Sequence, residues 1–157
     1  MIDKYTNKEI ASRWRDKVED LQELLLNSDD KDMLVTEQDS DLFPLKHTFG
    51  DGTYVRQMSM NKGSWCIGKI HKQNHVWFLL TGMITVVTDK GAIDHISPCY
   101  TESPSGAKRI IYAHEDSIFV TIHENPNNYR DIDKMEDYIV VETYKEYEEY
   151  INKNKIT

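Results

Sequence analysis

A chain of 157 residues, 39% apolar and 29% charged, has the size of one globular domain that buries a core without disulfides, and it is too apolar to be disordered. Its formal net charge of -8 argues against nucleic acid as a partner and gives no attraction to an anionic membrane. No apolar run is long enough to span a bilayer.

The amino-terminal Met1-Ile-Asp-Lys-Tyr-Thr lacks the order of a secretory signal. With Cys66 and Cys99 the only cysteines and no Cys-x-x-Cys, a reduced, cytoplasmic setting is expected. Thr6-Asn-Lys-Glu9 has the form of a capping box. Ile10, Trp14, Val18, Leu21 and Leu25 then recur at helical spacing, with Arg13, Arg15, Asp16, Glu19 and Glu23 elsewhere. This predicts an amphipathic helix to about Asn27, its stripe covering one end of the protein or forming a subunit interface. Residues 33–44, mixing single apolar residues with Glu37, Asp39 and Asp41, read as a mostly extended connection.

From Tyr54 the pattern changes to short strand-like runs over 54–60, 65–70, 75–80, 83–88, 92–96, 100–102, 108–113 and 117–123. Asn61-Lys-Gly63, Thr81-Gly82, Asp89-Lys-Gly91 and Pro104-Ser-Gly106 separate several of them. This is the punctuation of an antiparallel barrel. Beyond the turn at Glu124-Asn-Pro, a short helix is expected over 131–137 and a strand over 138–142. A second capping box, Thr143-Tyr-Lys-Glu146, opens a terminal helix with Tyr144, Tyr147, Tyr150 and Ile151 on its apolar face. The expected organisation is one structural domain: 1–45 helix and connection, 46–125 barrel, 126–157 helical appendage.

His71 and His75 lie four apart. In two extended pieces, favoured by Ile70, Val76, Trp77 and Phe78, the even spacing turns both imidazoles to one face. Neutral imidazole suits Zn, Fe, Mn and Ni, so the pair reads as two ligands of a divalent metal. A catalytic site takes three or more protein ligands. His123, at the end of its strand, is the third candidate, with His47, His114, Glu102 and Glu115 behind it. The alternative is a polar cluster bonded to tyrosines, carboxylates or water.

Arg109 either points inward, where with Tyr54, Arg56 and Lys69 it would hold a small anionic ligand, or pairs with Glu115 or Asp116 to fix a turn. Lys69 is expected on the outer face, because lysines are mostly exposed. His95 reads as surface and His114 as a turn residue. No nucleophile elbow, phosphate-cradling loop or dinucleotide fingerprint is present in the sequence.

The segment 68–82 resembles the first motif of the cupin superfamily, which carries a glycine, a His-x-His pair, a glutamate and a closing glycine. Counting back from Gly82, His75 falls in the glutamate's place, His71 on the second histidine and Lys69 on the first. Pro104-Ser-Gly106-Ala-Lys-Arg109 is similar to the second motif, with Arg109 where the histidine stands. Residues 110–123 resemble the strand, tight turn and returning strand that follow, with Glu115-Asp116 at the turn. The resemblance covers about the middle half of the chain. It implies an all-β core, a single antiparallel jelly-roll barrel flanked by the helices above, assembled as a homodimer or larger.

A narrower resemblance is to small cupin proteins encoded by tailed bacteriophages. It rests on Pro44-Leu-Lys-His47-Thr-Phe-Gly-Asp-Gly52-Thr-Tyr54-Val-Arg56 preceding the His71 segment. This implies a ligand- or metal-binding accessory or structural module. The alternatives are a metal-dependent dioxygenase or isomerase using His71 and His75, with Arg109 on a substrate carboxylate, and a metal-free sugar epimerase with a histidine and a tyrosine as base and acid.

Overall fold

The strand-like runs form two antiparallel sheets in the computed structural model, which describes residues 6–29 and 40–155. The first sheet has β1 (Leu45–Gly50), β2 (Gly52–Met60), β10 (Ser117–Asn125), β5 (His75–Thr81) and β8 (Cys99–Ser103) in that spatial order. The second has β3 (Trp65–Ile67), β9 (Ile110–Ala113), β6 (Met83–Thr88) and β7 (Gly91–Ile96). β2 pairs with β10, β3 with β9, β5 with β8 and β6 with β7. Each pair encloses the next in sequence, and alternate pairs fall in alternate sheets. A long hairpin rolled over on itself in this way is a jelly roll, so the expected fold class is the one the chain forms.

Between the sheets, period-2 alternation fills the core. Met58, Trp77, Leu79 and Phe119 from the first sheet meet Cys66, Ile84, Val86 and Ile111 from the second. Gly82 joins β5 to β6 at φ +85, and a Cβ there would lie 2.2 Å from Ser117 Oγ. Only glycine fits that turn.

The expected strand over 65–70 is broken. β3 ends at Ile67, and the chain passes through Gly68 and Lys69 into β4 (Ile70–His71), which leaves the main sheets to pair with β11 (Val140–Val141). Similarly, the strand expected over 138–142 shrinks to β11, because α2 (Ile132–Ile139) runs two residues beyond the expected end at 137. Burial of Met135 and Ile139 against Tyr54 holds that last turn helical. β9 starts later than expected because Lys108 turns inward, its Nζ donating to Glu142 O at 3.1 Å. β1 lies, but for Leu45, within the expected barrel, before the first of the strand-like runs read from the sequence. Residues 33–39 of the connection expected over 33–44 lie outside the described residues.

Both capping boxes form. Glu9 Oε2 accepts from Thr6 N at 2.7 Å, and Glu146 Oε2 from Thr143 N at 2.9 Å. They open α1 (Asn7–Leu26) and α3 (Tyr144–Lys155). The α1 stripe packs Val18 and Leu25 on Ile67, Ile70 and Tyr144. Arg15 pairs with Glu148 at 3.0 Å, and Glu19 Oε1 accepts from Tyr144 N at 2.6 Å, which ties α1 to α3. Among the described residues no helix is long and apolar enough to cross a membrane.

Candidate metal centre

Alternation along β5 turns His75, Trp77 and Leu79 inward, and along β10 it turns Thr121 and His123 inward. His71, at the end of β4, arrives from the other side of the turn that links β4 to β5. The three imidazoles converge, with ring centroids 4.0 Å apart for His71 and His75, 4.8 Å for His75 and His123, and 5.2 Å for His71 and His123. All three are buried, and one ligand atom from each lies within 4.8 Å of the others.

Their hydrogen bonds indicate which nitrogens are free. The Gln73 carbonyl accepts from His75 Nδ1 at 3.4 Å, leaving Nε2 with the lone pair, toward which Arg109 Nη2 donates at 3.4 Å and which a cation would have to take over. Thr121 Oγ1 donates to Arg56 O at 3.5 Å and so accepts from His123 Nε2 at 3.0 Å, leaving Nδ1 with the lone pair. Neither nitrogen of His71 has a hydrogen-bond partner. Burial is the main force lowering all three pKa values, with mutual repulsion and the charges of Arg109 and Arg56 adding to it. His75 falls to about 3 and His123 to about 2, and His71 lies well below its ordinary value. At neutral pH the cluster is therefore a set of uncharged nitrogen donors.

That set fits a divalent cation. Ligand nitrogens on one tetrahedral metal lie roughly 3.4 Å apart, since each bond is about 2.0–2.1 Å. The widest pair in the cluster, at 4.8 Å, thus has about 1.4 Å to close. A metal would also satisfy one of the two buried nitrogens of His71, both of which otherwise forgo the hydrogen bonds they make in water.

One side of the triad is cationic. Lys69, expected on the outer face, is only 16% exposed in its side chain and pairs with Glu136 at 2.9 Å and Glu142 at 2.8 Å. Glu136 also accepts from Arg56 Nη1 at 3.2 Å. Glu136 has no place among the sequence candidates, although it sits on the apolar stripe of α2 with Ile132, Met135 and Ile139. A carboxylate on such a stripe was the available signal. Arg109 is buried and pairs with neither Glu115 nor Asp116; its Nη2 lies 3.4 Å from His75 Nε2, and Asp116 Oδ1 accepts from Lys62 N instead. Arg56, Lys69, His71, Arg109 and Thr121 line a cavity of about 40 Å³, room for water beside the triad.

The remaining candidates lie apart from this cluster. His47 Nδ1 is 2.7 Å from the hydroxyl of Tyr54, whose ring stacks on His123, so Tyr54 lies between His47 and the triad. His114 Nε2 is bonded to Thr85 Oγ1 at 2.6 Å, and neither His114, Glu102 nor Glu115 joins the three histidines. His95, expected at the surface, is half-buried edge-on to Trp77 at 4.9 Å. Cys66 is buried with its thiol pushed up to about 12. It is a core residue and no ligand.

Fold and site together define a jelly-roll protein with a buried three-histidine cluster, a candidate metal site, bordered by cations. No protein-family model matches the chain, and no curated protein matches it. Solved structures similar to it are those of cupin-fold proteins. The Clostridium difficile EutQ protein is 17% identical over 62% of this chain and 79% of that one, with a TM-score of 0.48. Ectoine synthase from P. lautus is 13% identical over 61% and 74%, with a TM-score of 0.47. A cupin domain from Bordetella pertussis Tohama I is 14% identical over 53% and 93%, with a TM-score of 0.44. The likeness is one of chain path, and the jelly-roll assignment rests on the nested strand pairing.

Proposed function

We propose that this chain is a metal-binding protein of the cupin type, in which His71, His75 and His123 hold one divalent cation of the Zn, Fe, Mn or Ni class. The observation that carries the reading is the convergence of three buried, uncharged imidazoles, one with both nitrogens unsatisfied. Three nitrogen donors leave at least one coordination position for water or a ligand. A cation there would act as a Lewis acid and acidify its bound water. The Gln73 carbonyl and the Thr121 hydroxyl orient two of the rings. Glu136 holds Arg56 and Lys69, moderating the positive charge that a cation must meet.

Within that class we favour the binding or structural accessory role that the bacteriophage-type segment 44–56 implies, in a host cytoplasm. A cavity of about 40 Å³ beside the triad suits an ion and a water.

Elemental analysis of protein purified without a histidine tag tests the assignment. About one equivalent of metal should co-purify, and His71→Ala with His75→Ala should abolish it, because one remaining donor does not compete with water. Protein that is folded, metal-free and unable to take up any of these ions would sink the reading.

A further inference from the structure

A second cavity, of about 200 Å³, lies between the edge strands β7 and β8. Trp77, Val86, Ile93, Pro104 and Ala107 supply apolar walls, and Arg109 is shared with the small cavity beside the histidines. Arg109 is 6% exposed, yet its Nη1 has no hydrogen-bond partner. Among the described residues no carboxylate forms an ion pair with it, since the buried Glu136 is taken by Arg56 and Lys69. A guanidinium does not shed its proton to escape burial, and a buried cation without a counter-ion is strongly disfavoured. The missing partner is an anion.

We infer that this cavity binds a small organic monocarboxylate, its carboxylate on Arg109 and its apolar body against Trp77, Val86 and Ile93. The volume sets the size: about 200 Å³ exceeds the ~150 Å³ of an apolar cavity that holds benzene, room for a ligand on the order of ten non-hydrogen atoms. The charge balance sets the valence, with one guanidinium inside and Asp89 and Glu102 outweighing Lys90 among the lining residues. Arg109 matches the first charge of an anion, and a second charge would face Asp89 and Glu102 with only Lys90 to offset them. Chemistry sets the head group, because a carboxylate's two oxygens match the fork of one guanidinium, whereas the further oxygens of a phosphate would face apolar walls. The site does not require the metal, although Arg109 also touches His75.

The test is calorimetric titration of the full-length protein with benzoate, in metal-loaded and chelator-treated samples. Benzamide serves as the neutral isostere and inorganic phosphate as the competing anion. Benzoate should bind saturably and raise Tm in both samples, with benzamide and phosphate at least about tenfold weaker. Arg109→Met should abolish the binding while raising the Tm of the unliganded protein, since it removes an unpaired buried charge. Ala107→Leu, which fills the cavity and leaves the guanidinium in place, should also abolish it. Absence of saturable benzoate binding, equal binding of benzamide or phosphate, or retained affinity in Arg109→Met overturns the inference. Failure of the metal assignment would appear separately, as absent metal with benzoate binding intact.

Discussion

His75 and His123 titrate near 6.5 when unfolded but only at about 3 and about 2 in the folded protein, where burial is the main cause. Over that window the unfolded chain binds more protons than the folded one. Stability is therefore full above pH 6.5 and falls as pH drops through the interval. The urea midpoint of metal-free protein should decline steadily below pH 6.5, and His123→Gln should flatten the decline. Glu136→Gln tests the neighbouring network. It leaves Arg56 and Lys69 buried with less counter-charge and should cost roughly 3–5 kcal/mol in urea unfolding, part of which Arg56→Met should restore. His71 and His75 are legible in the sequence because their spacing is local, and His123 because it closes the strand-like run 117–123, although β10 itself continues to Asn125. The burial of Lys69 and the role of Glu136 are not, since a pair 67 positions apart in sequence leaves no local mark, and lysine's general preference for water points the wrong way.

At the scale of elements, the turns supply the sharpest test. Gly82→Ala drives a Cβ to 2.5 Å from Asp116 O and 2.9 Å from Ser117 Cα, both backbone atoms that cannot swing aside. Gly91, at φ +107, has open space within 4 Å of where a Cβ would stand and bears only the backbone cost of about 1–2 kcal/mol. Gly82→Ala should therefore lower stability by clearly more than Gly91→Ala in chemical denaturation. Thr143→Ala removes a capping hydroxyl and should cost about 1 kcal/mol. Strands β5 to β9 are readable because glycine-bearing turns bound most of them. β1 is not, because as an edge strand only Leu45 is fully buried, so its alternation is faint. β4 and β11 are two residues each, too short for any period, and exist only because they meet.

For the whole molecule, the nested pairing explains why the middle of the sequence is informative about the fold and its ends are not. The turns between successive strands are marked locally, whereas the seat of α1 and the path of 126–155 depend on contacts with distant strands. One such contact reaches the histidine cluster. His71 lies opposite Val140, its carbonyl accepts from Gly106 N at 2.9 Å, and Lys72 N donates to Ile139 O at 2.8 Å. A ligand residue of the candidate centre thus belongs, through its backbone, to the same small ladder that fastens the C-terminal segment. Cation uptake and the order of that segment are then one coupled equilibrium, and thermodynamic reciprocity applies. Zinc should slow amide hydrogen exchange at Lys72 and Gly106 while leaving the β6–β7 hairpin unchanged; equal protection everywhere, or none, would uncouple the two. By the same reciprocity, anything that steadies α3 from outside should tighten the hold on the cation by the factor through which the cation tightens the hold on α3.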